Sequence, residues 1–134
     1  MALVAATVAE GRWRQPTLVS GEAATSDNAD ESESDRSGGV EPAKSPEPLD
    51  PGVTKTLRTL MRQVVTEGTA ADANLPANVG GKTGTAEFGT GDPLPTHAWF
   101  IGFRGDLAFA VVVEDGGVGG RVAAPAAARF LRGL

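Results

Sequence analysis

Cysteine is absent, which excludes disulfides, thiol catalysis and Cys-ligated zinc and leaves the redox compartment open. Tyrosine is absent too, and His97 is the single histidine, so acid–base candidates are few and a histidine-based metal cluster has no ligands to draw on. No metal and no cofactor are expected. No run of about 18 apolar residues exists, so nothing in the sequence spans a membrane. No basic stretch precedes Ala2-Leu3-Val4, so residue 1 does not open a secretory signal. The net charge of −5 arises in one segment: nine acids between Ser20 and Asp50 face only Arg36 and Lys44, leaving eight acids against ten bases elsewhere. The remainder is near neutral, with no basic patch for nucleic acid.

The 134 residues suffice for one domain, or for part of a larger one. Ala2 to Glu10 is apolar nearly all round and ends at Gly11, a pattern for a helix buried on several faces with a glycine stop. Such a helix at residue 2 looks like a chain entered in mid-domain. Arg12 to Val19 reads as a turn into a short strand, closing a first segment at residues 1–19. Ser, Asp, Glu, Gly, Ala and Pro then dominate, without one aromatic residue, and predict a disordered acidic insertion over residues 20–49. Asp50-Pro51 is a helix start, and Leu57, Leu60, Met61, Val64 and Val65 form an amphipathic face, so a helix is expected over 50–68. Three antiparallel strands follow over 78–114, the last two joined at Arg104-Gly105-Asp106. The apolar run from Leu107 to Glu114 suggests burial on both faces, and Asp115 to Gly120 reads as a flexible turn. An alanine-rich helix closes the chain over 121–134, with Pro125 in its first turn. Consecutive strands with short links, covered by helices, give an α+β class with an antiparallel sheet.

The most informative stretch is Val79-Gly80-Gly81-Lys82-Thr83-Gly84-Thr85-Ala86-Glu87-Phe88. Its threonines and phenylalanine favour a strand, and its glycines leave room for another backbone or a ligand. One lysine, two hydroxyls and a strand edge suit a peptide that ends in a carboxylate. A Gly-Thr strand with an exposed lysine is the plainer alternative. Gly81-Lys82-Thr83 also ends like a phosphate-binding loop, but that motif needs a glycine where Pro76 stands and must open a helix.

Gly81 to Glu87, followed by His97-Ala98-Trp99-Phe100-Ile101-Gly102-Phe103, resembles the C-terminal part of the penicillin-binding protein transpeptidase domain. Ala2 to Gly11 with Pro16-Thr17-Leu18-Val19, and Leu60 to Ala70, resemble the segments just ahead of that part, so the resemblance covers all but the acidic insertion. It implies a penicillin-binding protein/serine β-lactamase-like fold. It also implies roles: Lys82 stabilising negative charge, the Thr83 and Thr85 hydroxyls holding the carboxylate of a D-alanyl-D-alanine stem peptide or a β-lactam, the Thr85 backbone N–H forming half of an oxyanion hole, and Gly84 keeping the strand face clear. His97 and Trp99 occupy recognisable positions and, like Glu87, are given structural roles.

The family's motif trio is S-x-x-K, S-D-N (or S-x-N) and K-T-G. Lys82-Thr83-Gly84 supplies the third. Glu41, Gly52 and Val79 stand three residues before the three lysines, so no S-x-x-K exists and the nucleophilic serine lies outside the chain. Ser26-Asp27-Asn28 carries the letters of the second motif but follows, rather than precedes, the first helix and falls in the acidic insertion. The resemblance therefore implies a segment of a class B-like serine D,D-transpeptidase that cross-links peptidoglycan. Its domain would be extracytoplasmic, completed and membrane-anchored by an N-terminal part absent here. The alternatives are a D,D-carboxypeptidase or serine β-lactamase relative, or a truncated noncatalytic peptide-binding module.

Overall fold

A computed structural model describes residues 1–16 and 47–134. Helix α1 (Ala2–Glu10) ends at Gly11, whose φ of 78° turns the chain left-handed and whose N–H donates to Thr7 O at 2.9 Å. Strand β1 (Arg12–Trp13) pairs antiparallel with β2 (Glu47–Pro48). The strand thus begins in the stretch read as a turn. Thr17–Val19, like the acidic insertion through residue 46 and its Ser26-Asp27-Asn28, lies outside the described residues.

Helix α2 (Pro51–Thr66) starts where Asp50 Oδ1 accepts from the N–H groups of Gly52 and Val53 at 2.8 and 3.0 Å. Such a cap contributes roughly 1 kcal/mol. The N–H groups of Glu67 and Gly68 both return to Gln63 O at 2.8 Å, ending the helix. A short 3-10 turn (Ala71–Ala73) leads to the sheet, whose order is β3 (Gly80–Glu87), β4 (Thr96–Arg104), β5 (Leu107–Val113), all antiparallel. Helix α3 (Ala123–Arg132) closes the chain. The class is α+β, with helices on both faces of one antiparallel sheet.

Register divides the strand residues between those faces. Gly81, Thr83 and Thr85 share one with Phe100 and Ala98 of β4 and Phe109 and Val111 of β5. There Phe100, Ala98 and Phe109 join Val79, Ala123, Ala124, Ala127 and Leu131 in the core beneath α3. Lys82 and Gly84 lie on the other face with Ile101 and Trp99, toward α1 and α2.

Three burial expectations are corrected. Helix α1 buries only Ala5 and Val8 and leaves Leu3 and Val4 exposed, because one side meets β4 and β5 while another looks into an open groove beside α2. On α2, Met61 is buried but Leu60 lies 52% exposed over that groove. On β5, Val112 is 46% exposed, since α1 lies beside the Leu107–Ala108 end of the strand. Among the described residues no helix is long and apolar enough to cross a membrane.

Candidate active-site cleft

Strand β3 is the sheet's edge, paired only with β4, so one side of Lys82-Thr83-Gly84-Thr85 is free of ladder partners. The motif sits mid-strand and opens no helix, which rules out the phosphate-loop geometry. Its glycines serve first the protein's own packing. A side-chain carbon on Gly81 would fall 2.2 Å from Phe100 Cζ, and one on Gly80 2.6 Å from Phe103 Cζ. Cross-strand phenylalanine rings therefore lie over these two positions, which sequence reasoning had reserved for a ligand or a neighbouring backbone. Gly84 faces Trp99, whose Cβ would be 3.2 Å from its added carbon, so this face is occupied rather than clear.

The four motif residues line one open cleft of about 570 Å³, shared with Thr69, Asp72, Val118 and Arg121. Thr83 is buried, and its Oγ1 lies 2.6 Å from Thr69 Oγ1, a hydrogen bond between hydroxyls. Thr85 is exposed, and its Oγ1 accepts from Gly119 N–H at 3.4 Å, which leaves its own O–H free to donate outward. Lys82 is exposed, with its ammonium on the carbonyl of Thr83. It belongs to the sheet face opposite the threonines, yet at the edge it borders both the cleft and the apolar groove behind it. A cation, a free hydroxyl donor and an open strand edge thus converge on a single opening.

Sequence reasoning missed Thr69 and Asp72, in the connection between α2 and β3, and Arg121, in that between β5 and α3, all of which line the cleft. The signal available was Gly119-Gly120. Read as part of a flexible turn, this pair is packed: Gly119 is buried, and Gly117 N–H donates to Thr96 O at 3.1 Å. His97 holds a structural place, stacked on Phe88 with ring centroids 3.9 Å apart, its Nδ1 accepting from Asp115 N–H at 3.2 Å. Trp99 is half-buried in the sheet, and Glu87 is exposed beyond the cleft lining. All six serines fall between Ser20 and Ser45, so none of the described residues is a serine. No group of three or more His, Cys, Asp or Glu among the described residues is placed to hold a metal ion.

The chain matches the penicillin binding protein transpeptidase domain over residues 1–132. It is similar to a peptidoglycan D,D-transpeptidase, PbpA, of Mycolicibacterium smegmatis, with 43% identity over 90 residues. That match covers 58% of this chain and 18% of the relative, so the chain spans less than a fifth of the curated protein it resembles. No solved structure gives a significant match. Nearly its whole length being matched, the chain belongs to the penicillin-binding protein transpeptidase family.

Proposed function

We propose that this chain forms the carboxylate-binding wall of a serine-type D,D-transpeptidase whose nucleophilic serine lies on polypeptide outside the 134 residues. The observation that carries this reading is the edge-strand cleft, in which Lys82 and Thr85 meet a free strand edge while no described residue is a serine. The substrate is a peptidoglycan stem peptide ending in D-Ala-D-Ala, and β-lactams occupy the same cleft. In the completed domain the serine hydroxyl attacks the penultimate D-Ala carbonyl, the terminal D-alanine leaves, and an amine then takes the acyl group from the serine. Here Lys82 would stabilise negative charge, Thr83, Gly84 and Thr85 would bind the peptide end, and the Thr85 N–H would supply half of the oxyanion hole.

The apolar groove supports an incomplete site. It measures about 710 Å³ and is lined by Val4, Val8, Leu57, Leu60, Met61 and Ile101, with Lys82 at its border. Exposed apolar surface of this kind marks an interaction site, and the occupant we assign is the remaining part of the transpeptidase domain, which also carries the membrane anchor and places the site outside the cytoplasm. A second reading, a noncatalytic peptide-binding module, is favoured if the chain acts alone, because it holds no S-x-x-K.

Fluorescent penicillin labelling separates the two. The chain alone should carry no covalent label, whereas a polypeptide in which an S-x-x-K-bearing N-terminal segment completes the domain should be labelled on that serine. A heat-resistant label on the isolated chain would overturn the assignment, and one mapped to Ser26 would restore the motif set aside above. A completed polypeptide that folds, as judged by its melting curve, but takes no label would favour the noncatalytic module.

A further inference from the structure

The glycine pair presses its turn onto the lysine strand closely enough to determine what faces the cleft. A side-chain carbon on Gly119 would lie 2.3 Å from Gly84 O, and one on Gly120 2.1 Å from Thr69 O. No larger residue fits at such separations without moving the backbone. The turn is closed by the N–H groups of Arg121 and Val122, which donate to Val118 O at 3.0 and 3.1 Å, and is tied to α3 by Ala124 N–H on Gly119 O at 2.9 Å. Its place relative to Thr85 is therefore fixed. Arg121 follows Gly119 by two residues and lines the cleft.

The cleft's other cation and its first threonine are already engaged. Lys82 Nζ is on the Thr83 carbonyl, and the Thr83 hydroxyl is buried against Thr69. Arg121 is exposed, and among the described residues no carboxylate lies within ion-pairing distance of its guanidinium. Lys82 and Arg121 outweigh Asp72, so the lining is net positive. A guanidinium presents a planar fork that matches a carboxylate with two parallel hydrogen bonds. We propose that Arg121, with the Thr85 hydroxyl of the same cleft, recognises the anionic end of the peptide, the task that resemblance to the family alone would give to Thr83 and Thr85. This assignment rests on the peptide-end reading of the cleft given above.

The test uses the 134-residue chain, titrated at millimolar concentrations with N-acetyl-D-alanyl-D-alanine and, separately, with its C-terminal amide, while backbone amide resonances are followed. The carboxylate form should shift the amides of residues 82–85 and 119–121 and bind more tightly than the amide form. Arg121→Gln should weaken carboxylate binding roughly fivefold to tenfold and remove that preference, and Arg121→Lys should restore part of it. Because Arg121 is exposed, an unchanged amide spectrum elsewhere will show that the variants fold. If Arg121→Gln keeps the wild-type preference for the carboxylate, the role of Arg121 is overturned and the peptide-end reading stands. If neither ligand shifts residues 82–85 of the wild type, the peptide-end reading falls and the Arg121 assignment falls with it.

Discussion

Lys82 stands where two surfaces meet, the threonine cleft on one side and the apolar groove on the other, with its ammonium at the free edge of β3. An exposed edge lysine contributes little to folding, whereas a cation near a developing oxyanion contributes to rate. Lys82→Ala in the completed transpeptidase should therefore leave the melting temperature nearly unchanged and slow β-lactam acylation by roughly 10²–10³. Lys82→Arg should not fully rescue it, because a wide guanidinium fork cannot replace a compact ammonium. Second-order acylation rates decide the matter, and an unchanged rate in Lys82→Ala would remove the site from this strand. Thr69 differs, since its hydroxyl holds that of buried Thr83 at 2.6 Å. Thr69→Val should strand a buried hydroxyl and cost about 1–3 kcal/mol in denaturant unfolding, while Thr69→Ser should cost much less. Equal stability of the two variants would show that the bond does not matter to the fold.

Strands β3 and β4 are joined by more than their ladder, because the rings of Phe100 and Phe103 fill the places of missing side chains at Gly81 and Gly80. Phe100 is fully buried, so its ring cannot swing aside. Gly81→Ala should consequently destabilise the chain by about 1–3 kcal/mol, read as a lower denaturant midpoint with an unchanged slope. A midpoint equal to wild type would mean that the sheet yields more easily than its packing suggests. The α+β class was legible because each element carries its own local signal. Asp50-Pro51 marks the start of α2, Gly11 the end of α1, and Arg104-Gly105-Asp106 the hairpin between β4 and β5. The candidate cleft was half legible. Lys82, Thr83 and Thr85 are neighbours in sequence and stay neighbours on the strand. Thr69 and Asp72 come from the connection between α2 and β3 and Arg121 from that between β5 and α3, and the packing of Gly119 on Gly84 and Gly120 on Thr69 brings the two together. Periodicity carries no trace of such a meeting.

Burial was the least legible property, for a reason that concerns the arrangement of the entire chain. Leu3 and Val4 read as core because their helix is apolar nearly all round, and Leu60 because its apolar neighbours recur at helical spacing, but neither signal tells what layer covers such a face. Val4 and Leu60 border a groove left open between α1 and α2, whereas α3 seals the opposite face of the sheet with Ala124, Ala127 and Leu131. The two faces of one sheet thus differ, one closed and one carrying an open apolar groove. The long connector between β1 and β2 has a different bearing on stability. Arg12 pairs with Pro48 and Trp13 with Glu47, so the points where the chain leaves and rejoins the described fold lie side by side. A short connector can bridge them without displacing either strand. Closure entropy depends only weakly on length, and cutting the connector to about a third lowers its cost by about 1 kcal/mol. Replacing residues 20–45 with a few glycines and serines should therefore leave unfolding free energy within about 1 kcal/mol of wild type, with any change toward greater stability. A loss well beyond that in denaturant unfolding would mean that the removed residues pack against the rest of the chain.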